Sequence, residues 1–271
     1  MKKLLLATTI VLVASTIAVA QLGVKNRRPL PYEYGRVILN NYSEKANFAP
    51  VAFDHWLHRS KFTCRLCHVD LAFAMKAGAT RITESDNANG YYCGTCHNGK
   101  MSVQGRTVFS ACAKKFSADD VSRCKRCHSL GRNAKFEYDF GKFTSGFPKE
   151  RFGNGIDWEK AEANGQIKPI DFLEGVSLRR KALSVRNDFA VKPTIDSMPD
   201  IIFSHAKHTV WNGCELCHPD IFLGVKRGQT KYSMIDIFEG KYCGVCHRTV
   251  AFPMIDCQRC HSTPVQTPLP E

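Results

Sequence analysis

The chain has 271 residues, 44% apolar and 23% charged, with a mean hydropathy of −0.26, a soluble composition of one- or two-domain length. Its one apolar run near membrane length lies at the N-terminus, which excludes a polytopic membrane protein. A formal charge of +13 and a pI near 9.2 first suggest nucleic acid or an anionic surface, but thirteen cysteines are too many for an ordinary cytosolic enzyme.

Residues 1–20 read as a secretory signal peptide: Lys2 and Lys3 are basic, Leu4 to Val19 is mostly apolar, and Ala18-Val19-Ala20 is a small-x-small cleavage site. Cleavage leaves 251 residues, no integral membrane segment and a formal charge of +11. The mature chain is expected in the periplasm, or secreted to the cell surface. Residues 21–49, with Pro29, Pro31 and three tyrosines, read as an extended lead-in.

Twelve of the thirteen cysteines then obey one rule, C-x-x-C-H. The motifs are Cys64/Cys67/His68, Cys93/Cys96/His97 and Cys124/Cys127/His128, followed by Cys214/Cys217/His218, Cys243/Cys246/His247 and Cys257/Cys260/His261. This is the c-type haem attachment signature. Residues i, i+3 and i+4 of a helical turn share a face, so two thiols reach the vinyl groups while the next imidazole meets the iron. Zinc sites pair C-x-x-C units but need no histidine after every second cysteine. Six covalent haem c groups are therefore expected, with those six histidines proximal. Their twelve propionates, about −12 when ionised, nearly cancel the mature charge, so the basic side chains read as charge-assisted propionate partners and a nucleic-acid role is set aside.

The motifs sit in an internal repeat. Phe53-x-His55-x-x-His58 and Phe203-x-His205-x-x-His208 share the pattern F-x-H-x-x-H at an offset of 150. The same offset relates Cys64 to Cys214, Cys93 to Cys243, Leu66 to Leu216, Asp70 to Asp220, Tyr92 to Tyr242 and Gly94 to Gly244. Between His97 and Cys124 the first copy carries 17 residues more than the second does between His247 and Cys257. The expected organisation is a trihaem unit over 50–130, an ordered connector over 131–197, a second trihaem unit over 198–263 and a Pro-rich tail over 264–271. Within the connector, Asp157-Trp-Glu-Lys-Ala-Glu-Ala-Asn reads as a short helix ended by Gly165, and Lys168-Pro-Ile-Asp-Phe-Leu as extended. One short helix can aim imidazoles at i and i+3 toward two neighbouring haems.

With these motifs the sequence resembles class III multihaem cytochromes c of the c7/c3 type, particularly proteins with tandem c7-like trihaem domains. The resemblance implies a mainly α and irregular, haem-cored fold: duplicated c7-like domains with short helices and few strands. It also implies that His55 and His205 are distal ligands of the first haem of each unit, and His58 and His208 of the second. The family's third haem takes a histidine four residues before the second motif, where this chain has Asn89 and Glu239. Ten histidines thus serve four irons twice and leave the haems at Cys124/Cys127 and Cys257/Cys260 with one each. Met234 is the distal candidate in the second unit, with Met254 as rival. In the first unit Glu84 stands at the place of Met234, leaving Met75, Met101 or an open or water-bound iron. The odd cysteine, Cys112, reads as a buried free thiol, with axial ligation or an intermolecular disulfide left open.

Densely packed haems with mostly filled axial positions favour electron hopping over substrate turnover. The expected function is an exported electron carrier whose partners are other redox proteins and cytochromes of the cell envelope; the resemblance implies respiratory flow, often toward metals or extracellular acceptors. The alternatives are a reductase using an open third-haem iron, although no C-x-x-C-K motif is present, and a cytochrome filament.

Overall fold

The computed structural model describes residues 29–112, 120–129, 139–180, 187–195, 197–224, 226 and 228–263. The expected signal peptide, 1–20, and the expected Pro-rich tail, 264–271, lie outside the described residues. Secondary structure is short throughout, as an interior filled by cofactors rather than by long amphipathic elements requires.

After a 3-10 turn at Pro31–Glu33, strand β1 (Arg36–Leu39) pairs antiparallel with β2 (Val51–Asp54), Val37 opposite Phe53 and Arg36 opposite Asp54. The Arg36 guanidinium grips the Asp54 carboxylate at 2.6 and 3.1 Å. Asp54 also N-caps helix α1 (His55–Arg59), but with its carboxylate held by Arg36 it makes no side-chain cap. The first attachment segment closes as a π-turn, Leu66–Asp70. Helix α2 (Glu84–Ala88) starts in a Thr83/Asp86 capping box, and α3 (Cys93–Cys96) carries the second motif. A small hairpin, β3 (Ser102–Val103) and β4 (Arg106–Thr107), precedes α4 (Asp120–Cys127) at the third motif.

The connector holds α5 (Phe140–Phe143) and α6 (Trp158–Ala163). The Asp157 carboxylate caps α6 by accepting from the Lys160 amide, and Gly165 follows at a φ of +71°, so the helix lies where the sequence places it. The second unit repeats the plan with β5 (Phe189–Val191) paired to β6 (Ile201–Phe203), then α7 (His205–Asn212), α8 (Met234–Phe238) in a Ser233/Asp236 capping box, and α9 (Gly244–His247). The last motif turns as a 3-10 segment, Cys257–Arg259.

Two differences from the sequence reading have physical causes. The lead-in is not simply extended: β1 pairs with β2, and β5 likewise reaches back to 189 from the second unit. Short helices mark five of the attachment motifs, but Cys214–His218 follows α7 as turns. In the first unit the connector ends α1 early, since Phe62 bridges Ile170 and Thr63 bonds both the Ile170 carbonyl and the Asp171 carboxylate. Among the described residues no such bridge meets α7, which runs to Asn212 before Gly213 ends it at a φ of +65°.

Among the described residues the connector supplies a large part of the conventional core. Trp56 of α1, Phe140 of α5, Ile156, Trp158 and Ala161 of α6, and Ile167 form one buried cluster, with Trp211 of α7 against it. A second cluster joins Phe62, Leu66 and Val103 to connector residues Ile170 and Leu173. Burial of these side chains stabilises by about 1.5–3 kcal/mol each, and much of it spans segments more than a hundred residues apart.

Candidate haem-binding sites

Each F-x-H-x-x-H segment is a strand end running into a helix start, which fixes three rings together. The Phe53 ring meets His55 edge-on at 4.9 Å and lies over His58 at 4.3 Å. Phe203 does the same, edge-on to His205 at 5.0 Å and stacked on His208 at 4.5 Å. The phenylalanine orients both imidazoles, a role the pattern alone did not reveal.

Eight of the ten histidines engage a backbone carbonyl through Nδ1. His55 donates to Gly35 at 2.7 Å, His58 to Asp54 at 3.2 Å, His68 to Phe73 at 2.8 Å and His128 to Ala49 at 2.9 Å. In the second unit His205 donates to Asn187 at 3.4 Å, His208 to Ser204 at 2.8 Å, His218 to Phe222 at 2.9 Å and His261 to Pro199 at 2.8 Å. A carbonyl can only accept, so the proton sits on Nδ1 and the Nε2 lone pair is left for a metal. His97 and His247 face the Phe109 and Phe252 carbonyls, but their buried Nδ1 atoms fall outside hydrogen-bond geometry.

The structure brings His58 and His97 to a ring separation of 6.3 Å, and His208 and His247 to 6.1 Å. Imidazole–metal bonds of about 2 Å on both sides of one ion give a centroid spacing of about 6 Å. His55 lies within electrostatic reach of His68. Burial pushes His55 down to about 4, with neighbouring His68 adding to it; burial and His97 do the same to His58, and burial and His208 to His247. These imidazoles are neutral at pH 7, the form a metal binds.

The third motifs return to the start of their own units. His128 bonds the carbonyl of Ala49 and His261 that of Pro199, positions 150 residues apart, so the 17-residue insertion leaves this anchor in place. Within each third motif an arginine stacks on a phenylalanine that in turn covers the second motif's histidine. Arg126 lies 3.7 Å over Phe109, which is 4.5 Å from His97; Arg259 lies 5.4 Å over Phe252, which is 4.3 Å from His247.

Met234 opens α8 and Glu84 opens α2 behind equivalent capping boxes, so the two side chains occupy the same place in the repeat. Met75, Met234 and Met254 line the central cavity, whereas Met101 packs against the Phe62–Leu66–Val103 cluster. The half-buried Cys112 thiol bonds the Asn87 side chain and is raised by burial and by Glu84.

Most of these groups open on one connected cavity of about 2830 Å³, well beyond the 300–1,000 Å³ or so of an ordinary ligand pocket. Its walls include eight of the ten histidines and every motif cysteine except Cys214; His205 and His218 lie outside it. Motif thiols succeed one another along it. Burial pushes Cys93 up to about 12 with Cys127 adding to it, and Cys67 to about 12 with Cys96 adding to it. Across the units Cys246 is pushed to about 12 by burial and then Cys64, and Cys243 to about 11 by burial and then Cys260. Paired thiols, neutral imidazoles with free Nε2 atoms and a large cavity fit covalent haem.

These features define a multihaem c-type cytochrome, an electron-transfer protein that binds haem c. The family model for cytochrome c7 and related cytochrome c matches residues 51–129 and 201–262, and the chain belongs to that family. Among solved structures, the C-terminal hexahaem fragment of GSU1996 is 25% identical over 84% of this chain and 98% of its own, with a TM-score of 0.26. A c7-type three-haem cytochrome domain is 31% identical over 30% of this chain and 99% of its own, also at 0.26. The dodecahaem cytochrome c GSU1996 is 24% identical over 84% of this chain and 74% of its own, at 0.26. Superpositions this loose add nothing to the family match. No curated protein matches the chain.

Proposed function

We propose that the protein is an exported six-haem electron carrier, in which two trihaem units, 50–130 and 198–263, form one continuous relay. The carrying observation is the succession of motif thiols from Cys127 past Cys93, Cys96, Cys67 and Cys64 to Cys246, Cys243 and Cys260. Each haem supplies a one-electron iron couple. The cysteine pairs hold the macrocycles by thioether bonds, and His68, His97, His128, His218, His247 and His261 bind the irons on the proximal side. His55, His58, His205 and His208 bind distally, a reading supported by the 6.3 and 6.1 Å ring separations at His58/His97 and His208/His247. Met234 completes the third iron of the second unit, which raises that centre's potential. The carbonyl tethers hold eight of the ten rings in place without the metal, so little reorganisation accompanies electron gain or loss there.

The partners are redox proteins of the cell envelope, met through small transient interfaces, and the flow is respiratory, directed to metals or other extracellular acceptors. The periplasm or cell surface is the expected location, from the basic and apolar residues 1–20.

One observation favours a second reading, a reductase: Glu84 replaces the thioether at the third site of the first unit. Carbon monoxide added to the reduced holoprotein separates the two. A pure carrier leaves its Soret band unchanged, whereas a carbonyl spectrum with turnover of nitrite or hydroxylamine overturns the carrier reading.

A further inference from the structure

The two units meet around a residue that the repeat does not duplicate. Arg59 closes α1, while the position 150 residues on is Thr209, whose hydroxyl merely donates to the His205 carbonyl at 2.8 Å. The Arg59 guanidinium carbon lies 5.5 Å from the Trp158 ring centroid of the connector and 5.2 Å from that of Trp211 in the second unit. Two indoles from different segments thus hold one planar cation. Among the described residues its Nε is buried with no hydrogen-bond partner, and no carboxylate forms an ion pair with it. It borders the central cavity.

Its charge reaches both units. The imidazole of His55 in the first and that of His247 in the second both feel it, as does the Cys64 thiol. Glu159 and Glu162 on α6 act on it only at a distance.

We propose that Arg59 is a fixed cation at the junction that raises the reduction potentials of the haems on either side of it, those attached at Cys64/Cys67 and Cys243/Cys246. Reduction removes one positive charge from an iron site, so a nearby cation favours the reduced state. The effect is strong where water is excluded and weakly screened by salt. The haems where the units join therefore hold an electron more readily than they would without Arg59. Arg59 is a positioning residue for charge; it touches no reacting atom.

This inference rests on the haem-relay reading, so the test begins with haem content. A wild-type holoprotein lacking haem at these motifs would end that reading and this one together. Given intact haem content, spectroelectrochemical titration of wild type, Arg59→Gln and Arg59→Lys at low and high salt is decisive. The expected result is that Arg59→Gln shifts one or two of the midpoints to lower potential and leaves the rest in place, while Arg59→Lys recovers most of the shift. Midpoints unchanged in Arg59→Gln, as a guanidinium already neutralised by a propionate would give, would overturn the proposal. If Arg59→Gln does not mature, Arg59→Met replaces it, keeping an apolar stem between the indoles. Failure of both neutral variants to load haem while Arg59→Lys loads it fully would assign the residue a purely structural role and also overturn the proposal.

Discussion

Arg180 and Asp70 form a 2.7 Å ion pair that ties the connector to the first attachment segment, and the same guanidinium holds Glu215 of the second unit, also at 2.7 Å. Glu215 stands where the first repeat has Arg65, which pairs instead with connector Asp171. Opposite charges at one repeat position thus match each unit to a different connector residue. The Asp70 side chain is only 3% exposed, so losing Arg180 strands a buried carboxylate. Arg180→Ala is expected to destabilise the holoprotein by about 1–3 kcal/mol in chemical denaturation followed by Soret circular dichroism. Glu215→Gln, at a more exposed contact, should cost less than about 1 kcal/mol.

Gly94 and Gly244 let the second motif lie directly against the helix before it. A Cβ on Gly94 would sit 1.9 Å from the Asn87 carbonyl oxygen, and one on Gly244 1.9 Å from that of Ile237. Backbone cannot yield that far, so Gly244→Ala should cost about 3 kcal/mol or more and lower haem loading of the second unit. Gly146→Ala, which meets nothing within 4 Å, is the matched control and should load normally.

How far the sequence could be read depends on which contacts repeat. The 150-residue offset exposed the thiols, the histidine pairs and even Gly94 and Gly244, because those positions are identical in both copies. Main-chain acceptors carry no residue signature, so the His128–Ala49 and His261–Pro199 bonds were invisible, although they explain how the insertion is tolerated. The paired strands at 36 and 189 were missed because their loops differ in length and displace the offset. Arg59, Trp56 and Trp158 belong to a junction that exists once, so no internal comparison could find them.

Phe203 packs against two imidazoles, and its loss should be felt at both of the first two haems of its unit. Phe203→Ala is expected to lower stability by about 1–3 kcal/mol and to broaden the low-spin ferric EPR signals of two centres. Phe53→Ala should change a different pair. A variant spectrum identical to wild type would show that the ring does not orient the ligands.

Acid should act through the histidines. Folded values of about 4 at His55, His58 and His247 lie below the ordinary 6.5, chiefly through burial. As pH falls the unfolded chain therefore takes up protons first, and the stability these groups contribute is complete above about pH 6.5 and lost on the way down to about 4. Iron binding at Nε2 opposes protonation in the same sense. The ferric low-spin bands should hold at pH 7 and fail as the pH nears 4; loss of those bands already at pH 7 would contradict this.

Covalent attachment of six haems is read directly from the intact mass of the mature holoprotein under denaturing conditions, where only covalent haem remains. A mass equal to the chain from Gln21 plus six haems is the expected result. A mass carrying fewer haems, or none, would contradict it.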